Sequence, residues 1–198
     1  MSCFFEFGLN LLASIVGSAI TMWIAYLWKF RRLFEKSNFR NQKNAENNMI
    51  TDITKSKSLR VFAMCGSSFS DKINSGIAKK VAGDLELKQY YLVSAEDNPN
   101  ILERQSTLPK GADELKTKIA NSINDFNSNK SSNPNIEIRL HKKKAYFRLI
   151  LLDHCLYFSQ QEEGKYGKDT EIQRIKCDTP TYKNFMNYFN SHWEEYAP

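Results

Sequence analysis

Three polar residues frame an apolar stretch in the second half of the chain. Tyr146, Arg148 and Asp153 bracket residues 149–152, which have the composition of a buried strand. A guanidinium can hold a phosphate through two parallel hydrogen bonds. A charge within an apolar strand also requires a partner. Arg148 is therefore either an anion-binding residue or one half of an ion pair with Asp153 or Glu137.

Further residues that can contact an anion follow a candidate strand or lie in polar loops. Ser67 and Ser68 come directly after such a strand, where hydroxyls and backbone amides can cradle a phosphate, although an ordinary turn is the simpler interpretation. Arg104 and Lys165 add positive charge. The basic run 142–144 is interpreted as a solvated face, with membrane or nucleic-acid contact as the alternative. The predicted ligand-binding residues are Ser67, Ser68, Arg104, Tyr146, Arg148 and Lys165.

The segment from Tyr146 to Asp153 resembles the His-x-Lys-x-x-x-x-Asp motif of the phospholipase D-like superfamily. Tyr146 stands at the histidine position, Arg148 at the lysine position and Asp153 at the aspartate position. The resemblance extends over roughly residues 59–196. It also includes a strand ending in Gly66-Ser67-Ser68, an acidic turn at Asp97, the Glu103-Arg104 pair, and an aromatic final helix with Phe189 and His192-Trp193.

This resemblance implies a phosphate-handling fold with reduced chemistry. Family catalysis uses the histidine as nucleophile on phosphorus, and a phenol, which ionises far above neutral pH, replaces it poorly. His141-Lys142-Lys143 supplies no substitute, because Arg148 stands where that motif needs aspartate. We expect no confident catalytic residue and a degenerate pocket that binds a phosphorylated ligand, such as a nucleotide, or a partner protein.

Two functions follow from the resemblance. The first is a signalling or effector protein, by analogy of layout with small anchored proteins of bacterial antiphage defence. The alternative is a membrane-associated phosphodiesterase or phospholipase that is active as a dimer, because single-motif relatives build one active site from two chains.

An uncharged segment of 22 residues, Phe7–Trp28, predicts a membrane-spanning helix. At about 1.5 Å per residue it spans roughly 33 Å, against about 30 Å for a bilayer core. A cleaved signal peptide would need a basic start, and the only charge before the segment is Glu6. The bases that follow, from Lys29 to Lys43, orient the N-terminus outside and the rest in the cytoplasm. We expect a single-pass protein of the inner (cell) membrane.

Small residues recur every four positions along this segment, at Ala13, Gly17, Thr21 and Ala25. Because such residues let helices approach closely in lipid, they predict a homo-oligomer. The alternative is a lone anchor in which these positions have no function.

Composition narrows the remaining choices. The chain has 198 residues, of which 41% are hydrophobic, so the part after the anchor can form one domain with its own core. The net charge of +6 lies partly beside the membrane segment, so we do not expect a nucleic-acid partner. The cysteines lack metal-ligand spacing, and we expect neither metal nor cofactor. They are Cys3, Cys65, Cys155 and Cys177.

The pattern of the chain divides it into three parts. Residues 1–32 are the anchor with its basic flank, residues 33–57 are an exposed linker rich in Asn and Lys, and residues 58–198 are the cytoplasmic domain. The predicted element order within the domain is β-α-β-α-β-β-β-β-α, which indicates an α/β sandwich with a mixed sheet. We also expect one helix over Asp71–Leu85, a loop over Asn127–Asn135 and an exposed His141.

Overall fold

The computed structural model describes residues 37–108 and 113–197, which belong to one folded unit. In these ranges the strands are β1 (Ser37–Phe39), β2 (Ser58–Ala63), β3 (Lys88–Ser94), β4 (Ile136–His141), β5 (Phe147–Leu152), β6 (Cys155–Gln160) and β7 (Ile172–Lys176). The helices are α1 (Gln42–Thr54), α2 (Ser67–Ser70), α3 (Gly76–Gly83), α4 (Asn100–Ser106), α5 (Asp113–Ser132) and α6 (Pro180–Glu195).

The seven strands form one mixed sheet in the order β1-β7-β6-β5-β2-β3-β4. Strands β2, β3 and β4 run parallel, and β5, β6, β7 and β1 extend the sheet through antiparallel pairs. A tight turn at Asp153 joins β5 and β6 into a hairpin with Leu151 opposite Leu156. The predicted mixed α/β architecture is confirmed.

Helices cover both faces of the sheet. Successive side chains on a strand point to opposite faces, and β3 illustrates this with Tyr90 and Tyr91. The Tyr90 ring packs edge-on against Trp193 of α6, with centroids 5.5 Å apart, whereas the Tyr91 ring lies 4.2 Å from Phe126 of α5. The core therefore has two layers, an aromatic one under α6 and a more aliphatic one under α1, α3 and α5.

Helix α1 is part of the core. Its N-cap is Asn41, whose side-chain oxygen accepts a hydrogen bond from the backbone nitrogen of Asn44 at 3.1 Å. Ala45, Met49 and Ile53 follow at four-residue spacing and are fully buried. Burial of a side chain the size of Met or Ile contributes about 1.5–3 kcal/mol, so this helix stabilises the unit substantially.

The expectation of an exposed linker over residues 33–57 is therefore wrong from Ser37 onward. Strand β1 pairs with β7, with Asn38 opposite Gln173, and α1 packs onto the sheet behind it. The folded unit begins at Ser37 rather than at residue 58. The Asn and Lys residues of α1 lie on its outward face. The apolar face of the helix consists of few residues, so the average composition does not reveal it.

Two other elements differ from the prediction. Residues 71–85 do not form one helix, because the carboxylate of Asp71 accepts hydrogen bonds from Ile73 and Asn74 in a turn, and α3 starts only after its N-cap Ser75. The predicted loop over residues 127–135 is mostly helical, since α5 continues to Ser132.

The predicted membrane-spanning segment, Phe7–Trp28, lies outside the described residues, as do the small residues from Ala13 to Ala25. Among the residues that are described, no helix has the length and apolar character needed to cross a bilayer. The anchor and the self-association therefore stay predictions.

Candidate functional site

A cavity of about 690 Å³ opens at the carboxyl end of β2, beside the start of β5 and the end of β6. Ligands of open α/β sheets commonly bind at the carboxyl ends of parallel strands. The N-terminus of α1, the turn after β2, helix α5 and the loop 161–170 supply the walls. The cavity is lined by four of the six predicted ligand-binding residues: Ser67, Ser68, Arg104 and Arg148.

Gly66 sets the turn that brings Ser67 and Ser68 to the cavity. Its φ of 73° lies in the left-handed region that favours glycine. A Cβ at this position would meet the side chains of Phe126 and Val93 at 3.1 Å each. The close packing against the sheet and α5 therefore requires glycine, and the chain turns into the short helix α2 at this point.

Arg148 lies at the base of the cavity. Phe147 before it points into the aromatic layer under α6, so the alternation of β5 directs Arg148 to the opposite face. Its Nη1 donates to Gln42 Oε1 at 2.7 Å, and its Nη2 donates to the carbonyl oxygen of Gly167 at 3.3 Å. Burial lowers the pKa of Arg148 to about 10. The half-buried guanidinium is thus held by neutral groups.

Neither expected ion pair of Arg148 forms. Asp153 lies five residues after Arg148, just past the end of β5, which is about 16 Å away at the rise of a strand. Its carboxylate accepts hydrogen bonds from the backbone nitrogens of Lys57 and Ser58 at 2.6 and 3.2 Å. Burial opposes its ionisation, but these bonds and that from the Ser58 hydroxyl keep the pKa of Asp153 below its ordinary value. Glu137 is exposed on the edge strand β4, and β2 and β3 separate it from β5.

Arg104 holds a cavity wall in place. Its Nη1 donates to the carbonyl oxygen of Glu162 at 2.9 Å, and its Nη2 donates to the carbonyl oxygen of Lys165 at 2.6 Å. The backbone nitrogen of Gly164 donates in turn to the carbonyl oxygen of Thr107 at 2.7 Å. Arg104 therefore anchors the loop 161–170 to α4, and most of its donors are engaged in that task.

Tyr146 does not line the cavity that contains Arg148. It is 61% exposed, lies just before the first residue of β5, and its ring is 5.2 Å from Lys144 Nζ. It lines a smaller neighbouring concavity of about 240 Å³, which it shares with Arg104. The phenol and the guanidinium therefore do not converge on one site as the His-x-Lys pair of the resemblance requires.

The remaining predicted binding residue, Lys165, lies on the outer side of the loop and does not line the cavity. It is exposed and pairs with Glu162 at 2.6 Å. Two lysines that were not predicted do line the cavity: Lys168, which is exposed, and Lys118, which pairs with Glu114 and lies 4.8 Å from the Tyr166 ring centre. Two of the four basic residues that line the cavity therefore lie outside any motif, and the acidic residues Glu46, Asp71 and Asp125 line it as well.

A second polar cluster surrounds the buried carboxylate of Asp52 on α1. Arg174 Nε donates to it at 2.7 Å and the Tyr157 hydroxyl at 2.6 Å, and His154 and Cys155 complete the cluster at 3.2 and 3.3 Å. Burial opposes ionisation of Asp52, but these hydrogen bonds prevail and hold its pKa well below the usual range. The cluster fixes the C-terminal half of α1 to β6 and β7.

Asp52, His154 and Cys155 are also the described residues that come nearest to a metal-binding set, with one donor atom from each within 4.8 Å of the others. Arg174 occupies both carboxylate oxygens of Asp52. Burial and the nearby Asp52 carboxylate raise the pKa of the Cys155 thiol, so it donates a hydrogen bond as a thiol. This arrangement is that of an internal hydrogen-bond network, because a cation here would have to displace the guanidinium.

His141 is fully buried, so the expectation of an exposed side chain is wrong. Its ring stacks on Phe62 with centroids 4.8 Å apart, and its Nε2 lies 3.3 Å from the carbonyl oxygen of Ala63. Burial lowers the pKa of His141 to about 4, so the imidazole is neutral at physiological pH. Its role here is to pack between β4, β2 and α6.

The most important site residue that the sequence did not reveal is Gln42. It falls within the predicted linker, and an isolated glutamine has no pattern that marks it as functional. The signal that could have revealed it is the N-cap Asn41 followed by the apolar spacing of Ala45, Met49 and Ile53, which identifies α1 as a helix of the core.

Comparison with known proteins gives little further information. No protein-family model matches the chain, and no curated protein sequence matches it. Among solved structures, the chain is similar to TrmBL2, an archaeal chromatin protein described as showing a novel mode of DNA binding, at 18% sequence identity and a TM-score of 0.48. The match covers 97% of this chain and 67% of that chain. A likeness of this degree assigns neither a family nor a partner to the chain.

Proposed function

We propose that the unit from Ser37 onward binds a phosphorylated small molecule, such as a nucleotide, in the cavity above Arg148. The observation that carries this proposal is the position of the Arg148 guanidinium, which is half-buried, faces the cavity and has only neutral hydrogen-bond partners among the described residues. Taking a guanidinium out of water is costly, and an anionic ligand would offset that cost through two charge-assisted hydrogen bonds.

The size and lining of the cavity support a small molecule as the ligand. Its volume of about 690 Å³ is within the range of roughly 300–1,000 Å³ of ligand pockets. Hydroxyl groups of Ser67 and Ser68 lie at one side, and the exposed Lys168 also lines the cavity. Such groups suit the hydroxyls of a sugar and the oxygens of a phosphate.

A binding function is favoured over the phosphodiesterase alternative because of Tyr146. A nucleophile must reach the phosphorus that the cationic group holds. Tyr146 is exposed and lines the neighbouring concavity, so a dimer would need to bring the phenol of one chain to the guanidinium of another. The proposed phospholipase D-like domain is therefore degenerate and serves to bind a ligand.

The proposal includes the N-terminal segment as an anchor. With Phe7–Trp28 in the inner membrane and the bases after it in the cytoplasm, the ligand would be a cytoplasmic metabolite or signal, and the anchored chains would respond as a homo-oligomer. A role as an effector in antiphage defence fits this layout by analogy alone.

Titration calorimetry tests the binding site with the full-length chain in mild detergent and four probes: inorganic phosphate, AMP, ADP and ATP. We expect heat with at least one probe and a loss of affinity of about tenfold or more in Arg148→Met, because a hydrogen bond to a charged group contributes about 1.5–3 kcal/mol. Lys165→Ala is the matched control, since it removes a positive charge outside the cavity. Its affinity should stay within about twofold of the wild type.

Arg148→Met also separates binding from a structural role. Because Arg148 has no ion pair in the described part of the chain, replacing it with an apolar side chain of similar length should leave the ligand-free melting temperature unchanged or raise it. Occupancy of the site can be followed through Cys65, which lines the cavity, with Cys177, which lies outside it, as the reference. The bound probe should slow the alkylation of Cys65 by iodoacetamide and leave that of Cys177 unchanged. No heat with any probe, or equal affinities of Arg148→Met and wild type, would refute the proposed function.

A further inference from the structure

The side chain of Gln42 fills the space directly in front of the Arg148 guanidinium. Its Oε1 accepts a hydrogen bond from Arg148 Nη1 at 2.7 Å, and the same oxygen is 3.1 Å from the Ser68 hydroxyl. Its Nε2 lies 2.9 Å from that hydroxyl. A single neutral oxygen thus occupies the point at which one cation and one hydroxyl donor meet.

This point has the geometry of an oxyanion position. A phosphate oxygen accepts from guanidinium and hydroxyl donors at the same distances as an amide oxygen, but with a full charge and roughly twice the strength. The amide therefore satisfies the donors of Arg148 and Ser68 without neutralising the guanidinium. The three residues come from α1, β5 and the short helix α2, so the position is built from three separate elements.

We infer that Gln42 Oε1 stands in for a terminal phosphate oxygen of the ligand, and that the ligand must displace the Gln42 side chain in order to bind. This inference rests on the proposed function of the cavity. It names the phosphate subsite as the space between Arg148 Nη1 and Ser68 Oγ, and it makes Gln42 an internal competitor that lowers the affinity for every anion.

The backbone around Gln42 allows this exchange. Its backbone nitrogen donates to the carbonyl oxygen of Lys168 at 3.0 Å, and Asn41 caps the helix through Asn44. These bonds hold the main chain of α1 in place while the side chain changes rotamer. Displacement of the amide therefore requires no unfolding of the helix.

Substitutions at Gln42 test the inference with opposite expected results. Gln42→Glu places a carboxylate against Arg148, so we expect a higher ligand-free melting temperature and an affinity for inorganic phosphate and ATP reduced by about tenfold or more. Gln42→Ala removes the competitor, so we expect an affinity equal to or above that of the wild type. Asn44→Asp is the matched control, because it adds the same charge only two residues after Gln42, at a position that does not line the cavity. Its affinity should stay within about twofold of the wild type.

Three results would overturn the inference while leaving the proposed function intact, provided that wild type binds a probe and Arg148→Met does not. The first is an affinity of Gln42→Glu equal to that of the wild type. The second is an equal loss of affinity in Gln42→Glu and Asn44→Asp. The third is a loss of affinity in Gln42→Ala as large as that in Gln42→Glu. The last would mean that Gln42 is a ligand contact. Absence of binding of either probe to the wild type would refute both the inference and the proposed function.

Discussion

Replacing Asp52 with Asn should cost the folded unit about 3 kcal/mol of unfolding free energy. The side chains of Asp52 and Arg174 are only 10% and 21% exposed, and asparagine keeps the shape of aspartate, so the change removes charge without creating a cavity. Breaking a buried ion pair costs about 3–5 kcal/mol. The lower end applies because a fifth of the Arg174 side chain still reaches water.

The change can be measured by urea unfolding followed by circular dichroism. With a dependence of about 2 kcal/mol per molar urea, a loss of about 3 kcal/mol moves the midpoint down by about 1.5 M. Asp178→Asn is the control, because Asp178 is exposed and belongs to no ion pair among those found in the described ranges. Its midpoint should stay within about 0.25 M of the wild type.

The pH dependence of Asp52→Asn gives an independent check of the sign. The pKa of Asp52 is depressed in the folded state, so its ionisation stabilises the fold fully above the unfolded pKa of about 3.9 and loses that effect as the pH falls further. The difference between wild type and Asp52→Asn should therefore be constant from about pH 5 to pH 8 and shrink below about pH 4. A difference under about 1 kcal/mol at pH 7, as for a surface pair, would refute the reasoning.

Three further substitutions test other parts of the fold. Gly66→Ala should lower the unfolding free energy by about 1–3 kcal/mol, measured by urea unfolding, because the left-handed φ and the contact with Phe126 leave no room for a Cβ. Arg104→Ala should speed amide hydrogen exchange across the loop 161–170, because two carbonyl oxygens of that loop lose their donor. In the wild type, the unfolding free energy should fall between about pH 6.5 and pH 4, because a histidine of the unfolded chain takes up a proton that the buried His141 does not. His141→Leu should make this fall shallower, as measured by urea unfolding at a series of pH values.

Each of these expectations has a clear contrary result. Wild-type stability of Gly66→Ala would mean that the turn after β2 relaxes at little cost. Unchanged exchange in Arg104→Ala would show that the loop is held by contacts other than the guanidinium. A pH profile of His141→Leu parallel to that of the wild type would assign the acid sensitivity to other groups.

The sequence predicts six of the seven strands of the described ranges, because most of them carry a run or an alternation of apolar residues. Helix α1 is not predicted because few of its residues face the core. Ala45, Met49 and Ile53 are separated by polar residues such as Asn, Glu and Thr, so the mean composition of the segment is polar. The sequence does not reveal the end of α5 for a related reason, since residues such as Asn129 are polar yet buried.

For the candidate site, the sequence identifies four lining residues, Arg148 among them, but not the two direct hydrogen-bond partners of its guanidinium. A guanidinium in an apolar strand is conspicuous, and its partners come from α1 and the loop 161–170, which are distant in sequence. Tyr146 and Arg148 would share one face of the sheet if β5 included both residues, but β5 begins at Phe147. Strand alternation applies only within a strand, so Tyr146 follows the loop before β5 and lies in the neighbouring concavity.

The loop 161–170, which forms one wall of the cavity, is held in place through its main-chain carbonyl oxygens. Arg104 contacts the carbonyl oxygens of Glu162 and Lys165, and Arg148 contacts the carbonyl oxygen of Gly167, so no side chain of the loop is needed for these contacts. Side chains such as Lys165 and Lys168 can therefore change without loss of the wall. The preference of the proposed binding site could therefore be redesigned at Lys168, which lines the cavity, while the scaffold stays the same.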